Sequence, residues 1–182
     1  DTERAPRLPP NQVRTVKWSE TGYPRSCRKD IKTIRLAFPF VIVVCEIVGK
    51  DVWEVMVFYR NLPLSSLDDK LFHTNLKNAN SSCVICLGEW NQRGSLANQA
   101  DNVLNRLWNS YFNTDISNDE FELSKTLDRK ISSLEAWGKA TKEDELFPLS
   151  IHWRKAPWTI SGLIKDLCGE NFSESNGFFG SI

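Results

Sequence analysis

Apolar and polar positions follow a two-residue period early in the chain and a three- to four-residue period later. Residues 41–48 and 52–59 are rich in β-branched and aromatic side chains, and Gly49-Lys50-Asp51 lies between them. This pattern predicts an antiparallel hairpin within residues 33–59. Pro39 interrupts the approach to the first strand, so we expect a bulge or an edge position there.

Helical periodicity begins after Ser95, which is a candidate N-cap. The apolar positions with helical spacing that follow are Ala100, Val103, Leu104, Leu107, Trp108, Tyr111 and Phe112. A second helix is predicted over 119–137, with Gly138 at its end. Its apolar stripe consists of Leu123, Leu127, Ile131 and Leu134. A strand over 149–153 and a short helix over 160–167 are predicted to follow.

The order of these elements is a hairpin, a long polar loop and then helices, which predicts an α+β domain. At 182 residues the chain is long enough to bury a sizeable core. Three segments are expected. Residues 1–30 form an extended basic, Pro-rich arm, residues 31–168 form one domain, and residues 169–182 form a flexible Gly/Ser/Phe tail.

The charge distribution narrows the classes of partner. Lys+Arg and Asp+Glu balance at 23 each, which argues against nucleic-acid or membrane-surface binding. No run of 18 apolar residues occurs, so no transmembrane helix is expected. Residues 1–30 hold seven basic and four acidic residues. We expect protein contacts through this arm and through an exposed aromatic C-terminal region around Trp153 and Trp158; a merely solvated arm is the alternative. Core packing is expected for Trp53, Trp108 and Trp137.

The five cysteines are not spaced as a dense disulfide framework, which favours a reducing, cytoplasmic setting. Cys45 and Cys168 occupy apolar stretches and are predicted to be inert core thiols. Cys83 and Cys86 form a C-x-x-C pair, which could be half of a zinc site or a redox pair. No second pair of that kind accompanies them. His73 could alternatively pair with Cys86 as in a thiol hydrolase.

A polar, Asn-rich turn before Val84-Ile85-Cys86-Leu87 carries the most specific signal. It resembles the active-site loop of ubiquitin-conjugating (E2) enzymes, and it is closer to the divergent E2-like proteins of bacteria and their mobile elements. The family's Asn lies eight residues before the catalytic Cys, and Asn78 lies eight before Cys86 (86 − 78). His73-Thr74-Asn75 looks more like the family's His-Pro-Asn, but Asn75 lies eleven residues before Cys86 (86 − 75).

The resemblance, which covers roughly residues 33–115, implies a UBC-like fold. It also implies that Cys86 accepts a ubiquitin-like modifier as a thioester from an E1-like enzyme and passes it to an amine. Asn78, or alternatively Asn75, would stabilise the oxyanion. No cofactor is expected, because the E1-like enzyme hydrolyses the ATP.

The chain departs from the family's pattern in several places. The His and Pro of the turn are missing, and the sequence shows no helix ahead of the hairpin. Asp115 is only a positional guess for the acidic residue that helps to deprotonate an incoming lysine. Two other interpretations stay open. Cys86 could be a buried structural thiol, or the protein could be a non-catalytic interaction or structural subunit of a larger assembly.

Overall fold

The computed structural model describes residues 13–19, 31–48, 51–88, 95–114, 116 and 119–168. In chain order the strands in this part are β1 Val13–Ser19, β2 Ile31–Ala37, β3 Phe40–Val48, β4 Asp51–Arg60, β5 Lys70–Phe72, β6 Tyr111–Phe112 and β7 Lys155–Thr159. The α-helices are α1 Leu96–Asn109, α2 Asp119–Ser124, α3 Leu134–Glu143 and α4 Ile160–Cys168. Short 3₁₀ segments span Arg129–Ile131 and Phe147–Ser150.

The strands form two sheets. One has the order β3-β4-β5-β7 with antiparallel neighbours, and the other has the order β2-β1-β6, in which β6 is parallel to β1. Helices follow the first five strands, so the predicted α+β class is confirmed. In the described part, β7 returns to the larger sheet after α3.

The hairpin is confirmed as β3 and β4, with Val41 opposite Tyr59. Its predicted Gly49-Lys50 turn lies outside the described residues. The prediction for Pro39 was wrong, because this residue separates β2 from β3, which belong to different sheets. Proline lacks an amide N–H and cannot donate a hydrogen bond to a neighbouring strand, so it suits a position between two strands of different sheets. The irregularity in register lies instead between Glu46 and Ile47.

Part of the segment predicted to be an extended arm is a core strand. β1 pairs along its whole length with β2, and the side chains of Val16 and Trp18 are fully buried. The Trp18 ring packs against the rings of Phe112, Phe121 and Trp137. The prediction failed because the alternation in β1 is short: it covers only Val16-Lys17-Trp18, and Arg14-Thr15 interrupts it. Residues 1–12, 20–30 and 169–182 lie outside the described part.

The predicted helix over 119–137 is broken into α2, a 3₁₀ turn and α3. Ser133 begins α3 as its N-cap, because its hydroxyl accepts a hydrogen bond from the Ala136 amide. The residues of the predicted apolar stripe also differ in burial: Leu123 is 52% exposed, whereas Ile131 and Leu134 are buried. Gly138 does not end a helix but lies inside α3.

Gly138 permits α3 to approach β2. A Cβ placed there would lie 2.7 Å from Ile34 Cδ1, which is closer than real Cβ atoms come. Trp137 beside it is fully buried and donates its indole N–H to the Ala37 carbonyl at 2.8 Å. The two residues therefore fix α3 on the smaller sheet.

Helix α4 is confirmed, and so is α1 up to Asn109, with Ser95 as its N-cap through the Asn98 amide. Tyr111 and Phe112 were wrongly predicted to continue that helix, because they form β6 and pair with β1. The predicted strand over 149–153 was wrong, because the chain there forms the 3₁₀ segment Phe147–Ser150, with Pro148 in its first turn. Strand β7 follows it and tolerates Pro157 because it lies at the sheet edge. No described helix is long and apolar enough to cross a bilayer.

Several predictions of burial need correction. Trp53 is 77% exposed and Trp153 is buried, so Trp153 does not form an exposed patch with Trp158. Cys168 is exposed, whereas Cys45 is half-buried and packs against the core. Periodicity misassigned Trp53 because the register shift near Ile47 changes the face that each residue takes.

Candidate functional site

The segment that contains Cys86 lies along β4, beyond the end of β5. The Ile85 amide donates to the Val55 carbonyl and the Val57 amide donates to the Cys83 carbonyl, both at 2.9 Å. Ile85 is buried in the main core. These hydrogen bonds and the burial of Ile85 hold the backbone at Cys86 against β4.

Asn78 and Cys86 hold each other in a reciprocal pair of hydrogen bonds. The Cys86 amide donates to the Asn78 carbonyl at 3.0 Å, and Asn78 Nδ2 donates to the Cys86 carbonyl at 2.9 Å. Asn78 is 1% exposed, whereas Cys86 is half-buried and lies between buried Ile85 and Leu87. The eight-residue spacing therefore closes a rigid loop that presents the thiol of Cys86.

Helix α1 holds the other side of Cys86. Arg106 Nε donates to the Leu87 carbonyl at 2.7 Å. Gly88 follows with a φ of 70°, a left-handed conformation that favours glycine. A Cβ on Gly88 would also lie 3.2 Å from Arg106 Nη2. Cys86 is thus fixed on both sides, by Asn78 before it and by Arg106 after it.

Asn75, the alternative oxyanion donor, points elsewhere. Its side chain is fully buried and its Oδ1 accepts a hydrogen bond from the Tyr59 hydroxyl at 2.9 Å. Burial raises the pKa of Tyr59 well above its ordinary value, so this hydroxyl stays a donor. Within the described residues, Asn75 Nδ2 is buried without a hydrogen-bond partner. The structure brings Asn75 to β4, whereas Asn78 contacts Cys86 directly.

A second group of polar side chains was missed by the sequence reasoning. Cys83 Sγ lies 3.4 Å from His73 Nδ1, and the same nitrogen lies 3.4 Å from Glu120 Oε2. Arg154 forms an ion pair with Glu120. Cys83 has a φ of 64°, which is uncommon for a residue with a side chain. His73 therefore pairs with Cys83, not with Cys86 as the thiol-hydrolase alternative required.

The electrostatics of this second group favour a neutral thiol. Burial, followed by the charge of Glu120, raises the pKa of Cys83 to about 12. Burial lowers the pKa of His73 despite the opposing effect of Glu120. A thiol that is protonated at neutral pH is a poor nucleophile. We therefore assign the group a structural role, in which it joins α2 to the segments around Cys83 and Arg154.

A cavity of about 10 Å³ lies beside this group, between α2 and the segment before β7. It is the size of a single water molecule. Its lining includes His73, Glu120, Leu127 and Arg154. The space is too small for a substrate or cofactor.

The zinc alternative gains no support from the described residues, since they contain no group of three His, Cys, Asp or Glu side chains arranged to hold a metal ion. Asp115, the positional guess for the acidic residue that helps to deprotonate a lysine, lies outside the described part. Comparisons with protein-family models, with curated proteins and with solved structures found no match to this chain. The function must therefore be argued from the loop around Cys86.

Proposed function

We propose that the chain is an E2-like carrier that holds a ubiquitin-like modifier as a thioester on Cys86. The observation that carries this proposal is the reciprocal pair of hydrogen bonds between Asn78 and Cys86. Because the two residues are eight positions apart, these bonds close a loop that holds the half-buried thiol of Cys86 on a fixed backbone. A carrier thiol must be reachable by other proteins, and a fixed backbone keeps it in a productive position.

The surroundings of the other described cysteines favour Cys86 as the carrier. Cys83 is 2% exposed and its thiol is kept protonated by burial. Burial also raises the pKa of Cys45 to about 11. Cys168 is exposed, but it lies at the end of α4, away from any asparagine loop in the described residues. Among the described cysteines, only Cys86 combines partial access with a defined polar loop.

The transfer is a thioester exchange. The Cys86 thiolate attacks the carbonyl carbon of a modifier bound to an E1-like enzyme, and a new S–C bond forms. The S–C bond to the enzyme's cysteine breaks, and that sulfur leaves as a thiolate that takes up a proton. An acceptor amine later attacks the same carbonyl, loses a proton and releases the Cys86 thiol.

The oxyanion of each step needs a nearby hydrogen-bond donor. The amide nitrogen of Asn78 carries two N–H groups, and one of them is bound to the Cys86 carbonyl. We assign the second N–H to the oxyanion; Asn75, the alternative donor in the sequence, is fully buried and bonded to Tyr59 instead. Asn78 thus has a positioning role that its contacts support and a catalytic role that remains a proposal.

The proposal includes the setting that the resemblance implies. The partners are an E1-like enzyme and a ubiquitin-like protein in a bacterial or phage-associated conjugation system, and the chain acts in the cytoplasm. It needs no cofactor of its own, since activation of the modifier takes place on the E1-like enzyme.

Intact mass analysis under non-reducing conditions tests this function on protein recovered from its native host. Wild type and Cys83→Ala should carry an adduct of small-protein mass that thiols release. Cys86→Ala should lack it while keeping the wild-type circular dichroism spectrum. An adduct that persists in Cys86→Ala would contradict the proposal. So would the absence of any adduct together with a Cys86 that resists alkylation in the folded protein.

A further inference from the structure

Strand β3 has the composition of an interior strand but lies at an edge. In the described part of the chain it pairs with β4 alone, at one end of the order β3-β4-β5-β7. Eight of its nine residues are apolar, and it contains neither lysine nor proline. Edge strands are ordinarily short or carry lysine, proline or inward charges that prevent further pairing. The edge of β3 lacks these safeguards apart from Glu46 and the irregularity beside it.

Both faces of β3 are packed, so its exposure arises at its free edge. Val41, Val43 and Cys45 pack against the main core, while Ile42 and Val44 pack against the second apolar cluster. Neighbouring residues of a strand point to opposite faces, so the two clusters cover the two sides of the sheet. Nevertheless every residue from 40 to 47 is partly exposed. No described strand pairs with the backbone groups of β3 that point away from β4.

The end of the hairpin near Glu46 carries an exposed aromatic side chain and a pair of opposed carboxylates. Trp53 is 77% exposed. It has no opposite residue in β3, because Glu46 pairs with Glu54 and Ile47 pairs with Val52. Glu46 lies directly opposite Glu54, so two carboxylates share one face of the sheet. Like charges at directly opposed positions are destabilising. A basic residue on an added strand beside Glu46 would relieve this repulsion.

We propose that the free edge of β3 accepts an extended apolar segment of a partner protein as a fifth strand, with a basic residue beside Glu46. Nine residues of strand extend about 30 Å. An edge of that length contributes only a few hundred Å², below the roughly 800 Å² per partner of a standard stable interface. The edge is therefore suited to transient strand addition and is too small for a stable dimer of two copies. This inference is independent of the thioester proposal.

A pair of synthetic peptides tests the proposed edge. Each has nine residues of alternating Val and Thr, with either Lys or Glu at the position that pairs beside Glu46. Amide hydrogen exchange of the full chain is followed by NMR during titration. We expect the Lys peptide to protect amides within 40–48 and to bind roughly threefold more tightly than the Glu peptide. Glu46→Lys should reverse that preference, whereas Glu143→Lys, an equal charge change at an exposed residue of α3, should leave it unchanged.

Three results would overturn the inference. The first is that neither peptide protects the amides of β3. The second is protection without peptide that grows with protein concentration as a dimer appears in sedimentation, which would make a second copy the occupant. The third is protection without peptide in a monomer at every concentration, which would mean that another part of the chain covers the edge. Equal affinity for the two peptides in wild type and Glu46→Lys would refute the need for a basic residue.

Discussion

At the scale of residues, Cys83 and Cys86 lie three positions apart and have opposite surroundings. Cys83 is buried beside His73, whereas Cys86 is only half-buried. The C-x-x-C pattern suggested a joint role, but the two thiols differ in access. The thioester proposal depends on this difference, since only an accessible thiol can exchange acyl groups with another protein.

Alkylation in the folded state should separate the two thiols. A pKa raised from 9.0 to about 12 lowers the thiolate fraction of Cys83 about a thousandfold at neutral pH, and burial blocks the reagent as well. We expect iodoacetamide to modify Cys86 at least about a hundredfold faster than Cys83 in native protein. Peptide mapping by mass spectrometry measures both rates, and unfolding in urea should make them similar. Equal rates in native protein would contradict the assigned environments.

The spacing of Asn78 and Cys86 could be read from the sequence because it is local. Eight residues close one loop, and the structure joins its two ends through the backbone amide and carbonyl of Cys86. The role of Asn78 toward an oxyanion stays a prediction. The group around Cys83 could not be predicted in the same way. Glu120 and Arg154 reach His73 only through tertiary packing, and neither belongs to a recognisable motif.

At the scale of elements, the hairpin and α1 were predictable because their patterns are regular and uninterrupted. The second helix was not, because a stripe of leucines at helical spacing continues across a real break. The break is marked by Asp128, which accepts from the Lys130 amide, and by Ser133, which caps α3. Two such capping residues inside one apparent helix are a signal that the periodicity alone overlooked.

Replacing Gly138 tests the close packing of α3 on β2. Gly138→Ala should have a free energy of unfolding lower than that of Gly162→Ala by about 1 kcal/mol, because the new Cβ would displace Ile34 Cδ1 and Ile34 Cγ1 lies 3.3 Å away. The cost is limited because the displaced atom is the end of a half-buried side chain, and the better helix propensity of alanine, worth up to about 1 kcal/mol, offsets part of it. Chemical denaturation measures the change.

Gly162→Ala is the matched control for that substitution. Its Cβ would lie 3.4 Å from the nearest heavy atom, Thr159 Oγ1, within ordinary contact. The variant should therefore be neutral or slightly stabilising. If both variants had the same stability, the proposed role of Gly138 in packing would be wrong.

At the scale of the whole molecule, two cysteine thiols and one tyrosine hydroxyl make the free energy of unfolding depend on pH in alkaline solution. Burial raises the pKa of Cys45 to about 11 and that of Cys83 to about 12, and it raises the pKa of Tyr59 as well. The folded state therefore holds protons that the unfolded chain loses first. Stability should be fully present below about pH 9 and should fall as the pH rises through the folded-state values.

Cys83→Ala isolates one of these groups. Between about pH 9 and 11, each such thiol lowers the free energy of unfolding by roughly 1.4 kcal/mol per pH unit. In Cys83→Ala, the free energy of unfolding should therefore fall less steeply with pH, by about that amount. Urea denaturation across this range, in the presence of a reductant, measures the slope. An unchanged slope would mean that the Cys83 thiol titrates alike in the folded and unfolded chain.

Cys86→Ser tests most directly whether Cys86 carries an acyl group. An acyl group passed to a serine hydroxyl forms an oxygen ester, which thiols do not release and which amines attack more slowly than a thioester. The measurement is the intact mass of Cys86→Ser recovered from its native host and then treated with reductant. We predict a trapped adduct whose added mass equals that of the thiol-labile adduct on wild type. A folded Cys86→Ser protein with no adduct, while wild type carries one, would show that the mass on wild type reflects something other than acyl transfer to Cys86.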